Sequence, residues 1–524
     1  MQTYDVVIVG SGINSLVCAA ILAKKGRRVA VLERNDRLGG CIRTEELFPG
    51  YTHDVLSSWY PLFVAGAGYQ ALADDLHARG LEFAKSEIDT GVLTPDGRSL
   101  VLSTDDRANR ERVNDVESGD GDRLSAVIGE FFSRDAALTF GLLGGRLRGR
   151  STLRLLAKEL RSRRMTGTLE FAGSALESCR SWLEKDFKSD LVRAVIAPWV
   201  LHAGLGPDDA FSGIMAKVII GAVTAAGLPV ATGGSQGVID AFSGVISDNG
   251  GELITGAEVE SVIVADGKAI GVTTGAGGEY RATRAVVCNV TPQALYGRLL
   301  AHEHVPASIA AGAASYRYGR AGMQIHYALD QPPRWSDPAL AATSMIHVTS
   351  GLDGVSRAVN EAERGLLPAE GTIVVGQPTV ADPTRAPSGG SILWIQLQEL
   401  PSVIRGDSAG EIDPPPGGGW TPEVAEAYAD RIQKRLMAHI PNLESSIVGR
   451  KVFSPADLER LNLNLVGGDP YSGACTLDQS LWWRPFATVK DHSTPVDQLF
   501  HIGASTHPGP GLGGNSGYMV AAEL

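Results

Sequence analysis

The hexapeptide GSGINS at Gly10 to Ser15 stands between an apolar run, YDVVIV ending at Val9, and a run from Leu16 to Lys25 with apolar residues at helical spacing. The first run is continuously apolar after Asp5, which predicts a strand buried on both faces of a parallel sheet. The second stops at Gly26 and predicts a helix, and Arg28 to Leu32 predicts a second strand. Gly10 permits the tight turn, and Gly12 has no Cβ to obstruct a pyrophosphate lying over the helix N-terminus. Ser15 takes the third small position of the G-x-G-x-x-G/A spacing and still allows close helix–strand packing. Glu33 closes the second strand about twenty residues on, placed to accept hydrogen bonds from a ribose 2′-OH. Strand, glycines, helix, strand and acid agree on a dinucleotide site for an adenosine without a 2′-phosphate.

A second glycine pair, Gly39 and Gly40, follows the ribose acid closely. Such a second loop of close backbone approach suits a flavin buried lengthwise and has no general use in a nicotinamide enzyme. The segment ERNDRLGG, with Glu33 and Arg34 at its head, resembles the E-R-x-x-x-x-G-G motif of the flavin amine oxidase and phytoene desaturase superfamily. Two further blocks are similar to that superfamily, one around VATGGSQGVIDAF through Val259 and one at GASTHPGPGLGGNSGYM. The resemblance implies FAD as cofactor, Val259 as a contact to the adenine, and Gly503, Ser505, Gly517, Tyr518 and Met519 in the terminal flavin loop and helix. Two positions depart from the pattern. Cys41 stands where an arginine is usual, with Arg43 near enough in sequence to replace it, and Ser505 stands where an acid is common. By the same resemblance Ser57 and Ser58 approach the flavin ring.

The expected fold class is α/β: a Rossmann-type FAD-binding domain with an inserted mixed α+β substrate domain. We place the FAD-binding domain at 1–75, 228–300 and 445–524 and the substrate domain at 76–227 and 301–444, since 524 residues exceed one ordinary core. A formal charge of -12 argues against nucleic acid as the main partner. Cys18, Cys41, Cys179, Cys288 and Cys475 form no C-x-x-C pair, which speaks against dithiol exchange or a zinc site, and no metal is expected. An apolar strand beginning by Tyr4 leaves no room for a signal peptide, so a cytoplasmic location is the default expectation. The apolar stretch Ile214 to Ala231, interrupted by Lys217, Gly221, Gly227 and Pro229, reads as a buried helix and turn.

No second strand–G-x-G-x-x-G–helix unit occurs, so electrons are expected to enter from an organic substrate and to leave to oxygen or a quinone. Resemblance implies desaturation of an apolar, isoprenoid or carotenoid-like molecule. The alternatives are oxidation of a small ring or amine, and a binding protein for prenylated partners of the Rab GDP-dissociation inhibitor type. His507 is the candidate acid or base, beside the alternative that it only fixes its loop. Trp59, Trp482 and Trp483 are candidates to line an apolar tunnel, or are ordinary core residues. The basic residues from Arg146 to Arg164 lie among leucines, as on a solvated helix face or a helix in peripheral membrane contact. The charged stretch from Leu100 to Leu124 reads as a weakly ordered solvated loop.

Overall fold

The computed structural model describes residues 2–511 and 513–524. In chain order its two large sheets use β1 (Gln2–Val9), β2 (Val29–Leu32), β3 (Ile88–Leu93), β4 (Ser99–Leu102), β5 (Glu252–Ile254), β6 (Val259–Ala265), β7 (Lys268–Thr274), β8 (Glu279–Cys288), β9 (Ala321–Leu329), β10 (Thr343–Val348), β11 (Ile373–Gly376), β12 (Ser391–Leu400), β13 (Ile447–Phe453) and β14 (Leu499–His501).

The first sheet runs β6-β7-β8-β1-β2-β5, with β14 also paired to β8. β1 lies parallel to β2 and β8, and β5 and β14 extend the parallel core, while β6 to β8 form an antiparallel meander at one side. Helix Ile13–Lys24 crosses one face and packs its Leu16, Val17, Ala20 and Leu22 into a core shared with Val238, Phe242 and Val245 of helix Gln236–Asp248. It ends where Gly26 takes φ +77°, a conformation that glycine adopts without the strain other residues meet. The strands of this sheet come from 2–32, 252–288 and 499–501, so the sheet is assembled from widely separated parts of the chain.

The second sheet runs β13-β9-β12-β11-β10-β3-β4, mostly antiparallel, with β3 parallel to β10. One face packs Met323, Ile325, Tyr327, Leu393 and Ile395 against helix Pro422–Met437. The other face turns toward the first sheet. Strand β13 belongs to this second sheet, although it lies within 445–524.

The charged stretch after Leu100 is not a loop. It forms helices Asp106–Val116 and Asp120–Glu130. Asp105 caps the first by accepting the Ala108 N–H, and Arg107–Glu111 and Arg110–Asp106 pair one turn apart on its surface. Asp120 is buried and accepts backbone N–H groups from Lys188 and Ser189, which anchors the second. High charge density was a poor guide because the charges pair along the helix. The stretch around Ile214 is a helix, Ser212–Ala226, closed at Gly227. Among the described residues no helix is long and apolar enough to cross a membrane.

Candidate active site

A cavity of about 640 Å³ opens between the carboxyl ends of β1 and β2 and the inner face of the second sheet. That is the size range of cofactor and ligand sites. At one end it is walled by Gly10, Gly12, Glu33, Arg34, Gly39, Gly40 and Val259, which sequence reasoning had singled out. Gly10 has φ +84°, and a Cβ on Gly12 would stand 3.1 Å from Asn289 Nδ2, so this turn has no space for side chains. Buried Glu33 holds the turn from beneath: its Oε2 accepts the Ser11 N–H at 3.1 Å and the Ser11 hydroxyl at 2.7 Å, while Oε1 accepts the Asn35 N–H. Ser11 Oγ in turn accepts the Gly39 N–H at 3.0 Å, joining the two glycine loops. A cradle of bare backbone at a helix N-terminus, next to a buried carboxylate, fits the adenine dinucleotide of FAD.

Sequence reasoning missed Asn289, which follows β8 and lines the cavity. Its Nδ2 donates to Ser15 Oγ at 2.9 Å, so Ser15 acts through this tie and not on the cavity wall. A Cβ on Gly503, at φ +110°, would come within 2.2 Å of Asn289 Oδ1. Gly503 is therefore a packing glycine behind the wall.

The remaining terminal-loop residues also stand behind the cavity. Ser505 donates its hydroxyl to Val290 O, and a Cβ on Gly517 would meet Asn14 O at 1.8 Å where helix Asn515–Glu523 crosses the first helix. Asn14 Oδ1 accepts the Ser516 hydroxyl and the Gly517 N–H, so that N–H is already engaged. Tyr518 packs against the first core, and Met519 offers its carbonyl to Arg146. None of these side chains lines the cavity, whereas Ala504, Gly509, Pro510 and Gly511 do. Leu512, within the same motif, lies outside the described residues. Arg43 pairs with Glu45 and is also absent from the lining, so it does not take the place of the missing arginine. Cys41 does line the cavity, but burial pushes its thiol up to about 11, leaving it protonated and a poor nucleophile.

His507 is turned away from the cavity. Its ring is buried, with Nε2 2.8 Å from Gly145 O, and desolvation holds it down at about 4. It fastens its loop to the end of helix Ala136–Gly144 and has no access to a ligand in the cavity. Trp482 and Trp483 form a surface turn, Trp483 being 44% exposed, and neither reaches the cavity. Trp59 does, together with Ser57 and Ser58.

The other end of the cavity is built by the second sheet and the helical region. Trp59 and Trp394 meet edge to face at 5.0 Å, and Trp199, His202, Met345, Gln324, Gln396 and Gln398 complete the wall. Trp59 Nε1 donates to Ser344 Oγ, and Trp394 Nε1 to Leu56 O, which locks the 55–59 loop to the sheet. The same loop is fixed by a fully buried cluster: Arg385 Nη1 lies 2.6 Å from Asp54 Oδ2, its Nε 3.1 Å from Asp382 Oδ2, and its Nη2 donates to Ala231 O at 2.6 Å. Asp54 also accepts from Ser58, Thr44 and the Ser235 N–H.

Residues 16–511 match the family "Flavin containing amine oxidoreductase". The chain belongs to that family. It is an FAD-dependent oxidoreductase, with a Rossmann-like FAD-binding fold. The protein named "Pyridine nucleotide-disulfide oxidoreductase domain-containing protein 2" of Rattus norvegicus is 27% identical over 99% of this chain and 92% of its own length. The neurosporene-forming phytoene desaturase of Rhodobacter capsulatus is 26% identical over 99% of this chain and 93% of its own. A solved oxidoreductase from Methanosarcina mazei superposes with a TM-score of 0.61 at 18% identity, covering 100% of both chains, a likeness of fold. Membership in an oxidoreductase family sets the enzyme reading above that of a binding protein for prenylated partners.

Proposed function

We propose that this protein desaturates a neutral, largely apolar molecule of isoprenoid type. The observation that carries the reading is the distribution of charge in the cavity. Its charged lining residues are Glu33, Arg34, Glu258 and Arg298. Glu33 and Arg34 directly follow β2, and Glu258 immediately precedes Val259 and pairs with Arg298 at 3.6 Å, so all four belong to the dinucleotide end. Among the described residues the tryptophan-lined end carries no carboxylate to receive an ammonium, and burial holds His202 at about 4 and His347 well below its ordinary value, both neutral at pH 7. The kinship with a phytoene desaturase supports the same substrate class.

Gly10, Gly12, Glu33, Arg34, Gly39, Gly40 and Val259 would hold the adenine dinucleotide, with Ser57 and Ser58 beside the flavin ring. Bound FAD would supply the acceptor for a hydride from one substrate C–H bond, the proton on the adjacent carbon leaving to water. The tryptophan walls align the substrate. Oxygen or a quinone is the electron acceptor we favour. The test is anaerobic mixing of the FAD-loaded protein with an acyclic isoprenoid hydrocarbon and, separately, with a primary alkylamine. Loss of the flavin absorbance band near 450 nm with the hydrocarbon alone is expected; bleaching by the amine alone sinks the proposal.

Helix Arg150–Leu176 supports peripheral membrane contact. Leu153, Leu156 and Leu160 are exposed along one stripe, with Arg154, Lys158 and Arg161 beside them. Beyond the break at Arg164 (φ 57°), Met165, Leu169 and Leu176 are exposed as well. Three other basic residues of the stretch are engaged within the fold: Arg146 and the exposed Arg148 bond backbone carbonyls, and Arg163 pairs with Asp135 and Glu159. On a chain of net charge -12, a basic stripe flanking exposed leucines suits an anionic bilayer. Co-sedimentation with vesicles containing phosphatidylserine is expected, with affinity falling about a hundredfold or more in Leu153→Glu/Leu160→Glu, since each leucine buried in lipid contributes roughly 1.5–3 kcal/mol. Equal sedimentation of the variant counts against this surface.

A further inference from the structure

We propose that the floor of the tryptophan-lined end is a receptor for a hydroxyl group on the substrate. This rests on the isoprenoid reading above and narrows it, from an apolar molecule to an apolar alcohol.

The floor is the inner face of the second sheet. Alternation along β9 and β12 sends Met323, Ile325, Leu393 and Ile395 into the core, and turns Gln324, Gln396 and Gln398 to the cavity side. Gln324 and Gln396 stand directly opposite each other in the antiparallel pair, so their side chains are neighbours. Gln396 is the one residue of Ser391–Leu400 that is not buried, and it lines the cavity. Its amide bonds to no described residue.

The other two glutamines are incompletely satisfied. Tyr471 donates its hydroxyl to Leu201 O at 2.5 Å and so must accept from Gln398 Nε2, 2.8 Å away. That orients the Gln398 amide and leaves its Oε1 buried without a partner among the described residues, as is Gln324 Oε1. A buried polar atom with no partner costs about 1–3 kcal/mol. Leucine or methionine would fill these positions without that cost, as the tryptophans and Met345 of the same wall do. Polar groups that break the local rule at several adjoining positions in a cavity mark a site built for a ligand.

Amide groups offer both donors and acceptors, and two of the acceptors are unmet, so the complement must donate as well as accept. A hydroxyl does both, a carbonyl only accepts. An ammonium would find no carboxylate here among the described residues. His202 borders the same end, its Nε2 3.0 Å from His347 Nε2, and as a neutral pair the two rings add a polar edge without charge.

The test is ligand binding to the FAD-loaded protein under anaerobic conditions, followed by quenching of tryptophan fluorescence, since Trp59, Trp199 and Trp394 all line the cavity. The probes are geraniol, its aldehyde, geranylamine and the hydrocarbon myrcene. Two added hydrogen bonds of about 0.5–1.5 kcal/mol each correspond to roughly tenfold tighter binding of geraniol than of myrcene, with the aldehyde between them. Gln396→Leu is expected to bring geraniol down to the level of myrcene while retaining FAD, the check that it folds. Should it lose FAD, Gln396→Met serves in its place, and the wild-type ratio decides the matter independently. Myrcene binding as tightly as geraniol overturns the hydroxyl receptor and leaves the isoprenoid reading standing. Tightest binding by geranylamine, or binding of none of the four, overturns both.

Discussion

Arg385→Leu is expected to lower the unfolding free energy by about 3–5 kcal/mol, the loss seen when one partner of a buried ion pair is removed. Arg385 is fully buried between Asp54 and Asp382, whose carboxylates would remain in the interior with no cation. It also donates to Ala231 O, so one side chain joins the cavity-lining loop after Asp54, the segment before helix Gln236–Asp248, and the turn after helix Pro378–Ala381. Arg385→Lys keeps the charge but has a single ammonium in place of a fork that reaches three acceptors, and should recover only part of the loss. Denaturant unfolding followed by circular dichroism measures both variants. A loss under about 1 kcal/mol for Arg385→Leu would mean that water or a shifted protonation relieves the two carboxylates, against the burial described.

Gly12→Val is expected to give a folded, colourless protein, with FAD affinity reduced more than about a hundredfold. The new Cβ would meet Asn289 Nδ2 at 3.1 Å, and its methyl groups would fill the space over the first turn of helix Ile13–Lys24, where a pyrophosphate has to approach bare backbone. A hundredfold corresponds to about 2.7 kcal/mol. Gly237→Ala is the control, because a Cβ there meets nothing within 4 Å. Flavin content after gel filtration and the circular dichroism spectrum separate lost binding from lost folding. A yellow Gly12→Val protein would remove the dinucleotide assignment from this turn.

What the sequence showed best is local. The β1 run, the glycine turn, the helix ending at Gly26 and the acid at Glu33 are all set by near neighbours, and they appear in the structure with the strand beginning two residues earlier, at Gln2, and the helix three earlier, at Ile13. The glycine pair at Gly39 and Gly40 likewise reaches the cavity as its motif implies. Legibility failed where a role depends on residues far away in the chain. Gly503 and Gly517 were assigned to the flavin because of their motif, but the close approaches that require glycine there are to Asn289 and Asn14. His507 looked chemical in isolation, and its partner Gly145 is 362 positions away. Arg385 has no local signature, since its acids include Asp54, 331 positions earlier. The glutamine floor did leave a trace. In SILWIQLQEL the polar Gln396 and Gln398 fall on the same parity as Trp394, the pattern of a strand with one polar face, though nothing in the sequence says that this face looks into a cavity.

The first sheet has a consequence for biosynthesis. Its central pair, β1 and β8, joins residues more than two hundred positions apart, and β14 docks on β8 only after residue 499 has been made. On the ribosome, the glycine turn at Gly10–Ser15 therefore lacks its β8 neighbour until residues 279–288 have been made. Contacts this distant form late and slowly. Flavin capture is consequently tied to synthesis of the segment through His501, and a chain interrupted before it displays the glycine fingerprint without the complete sheet behind it.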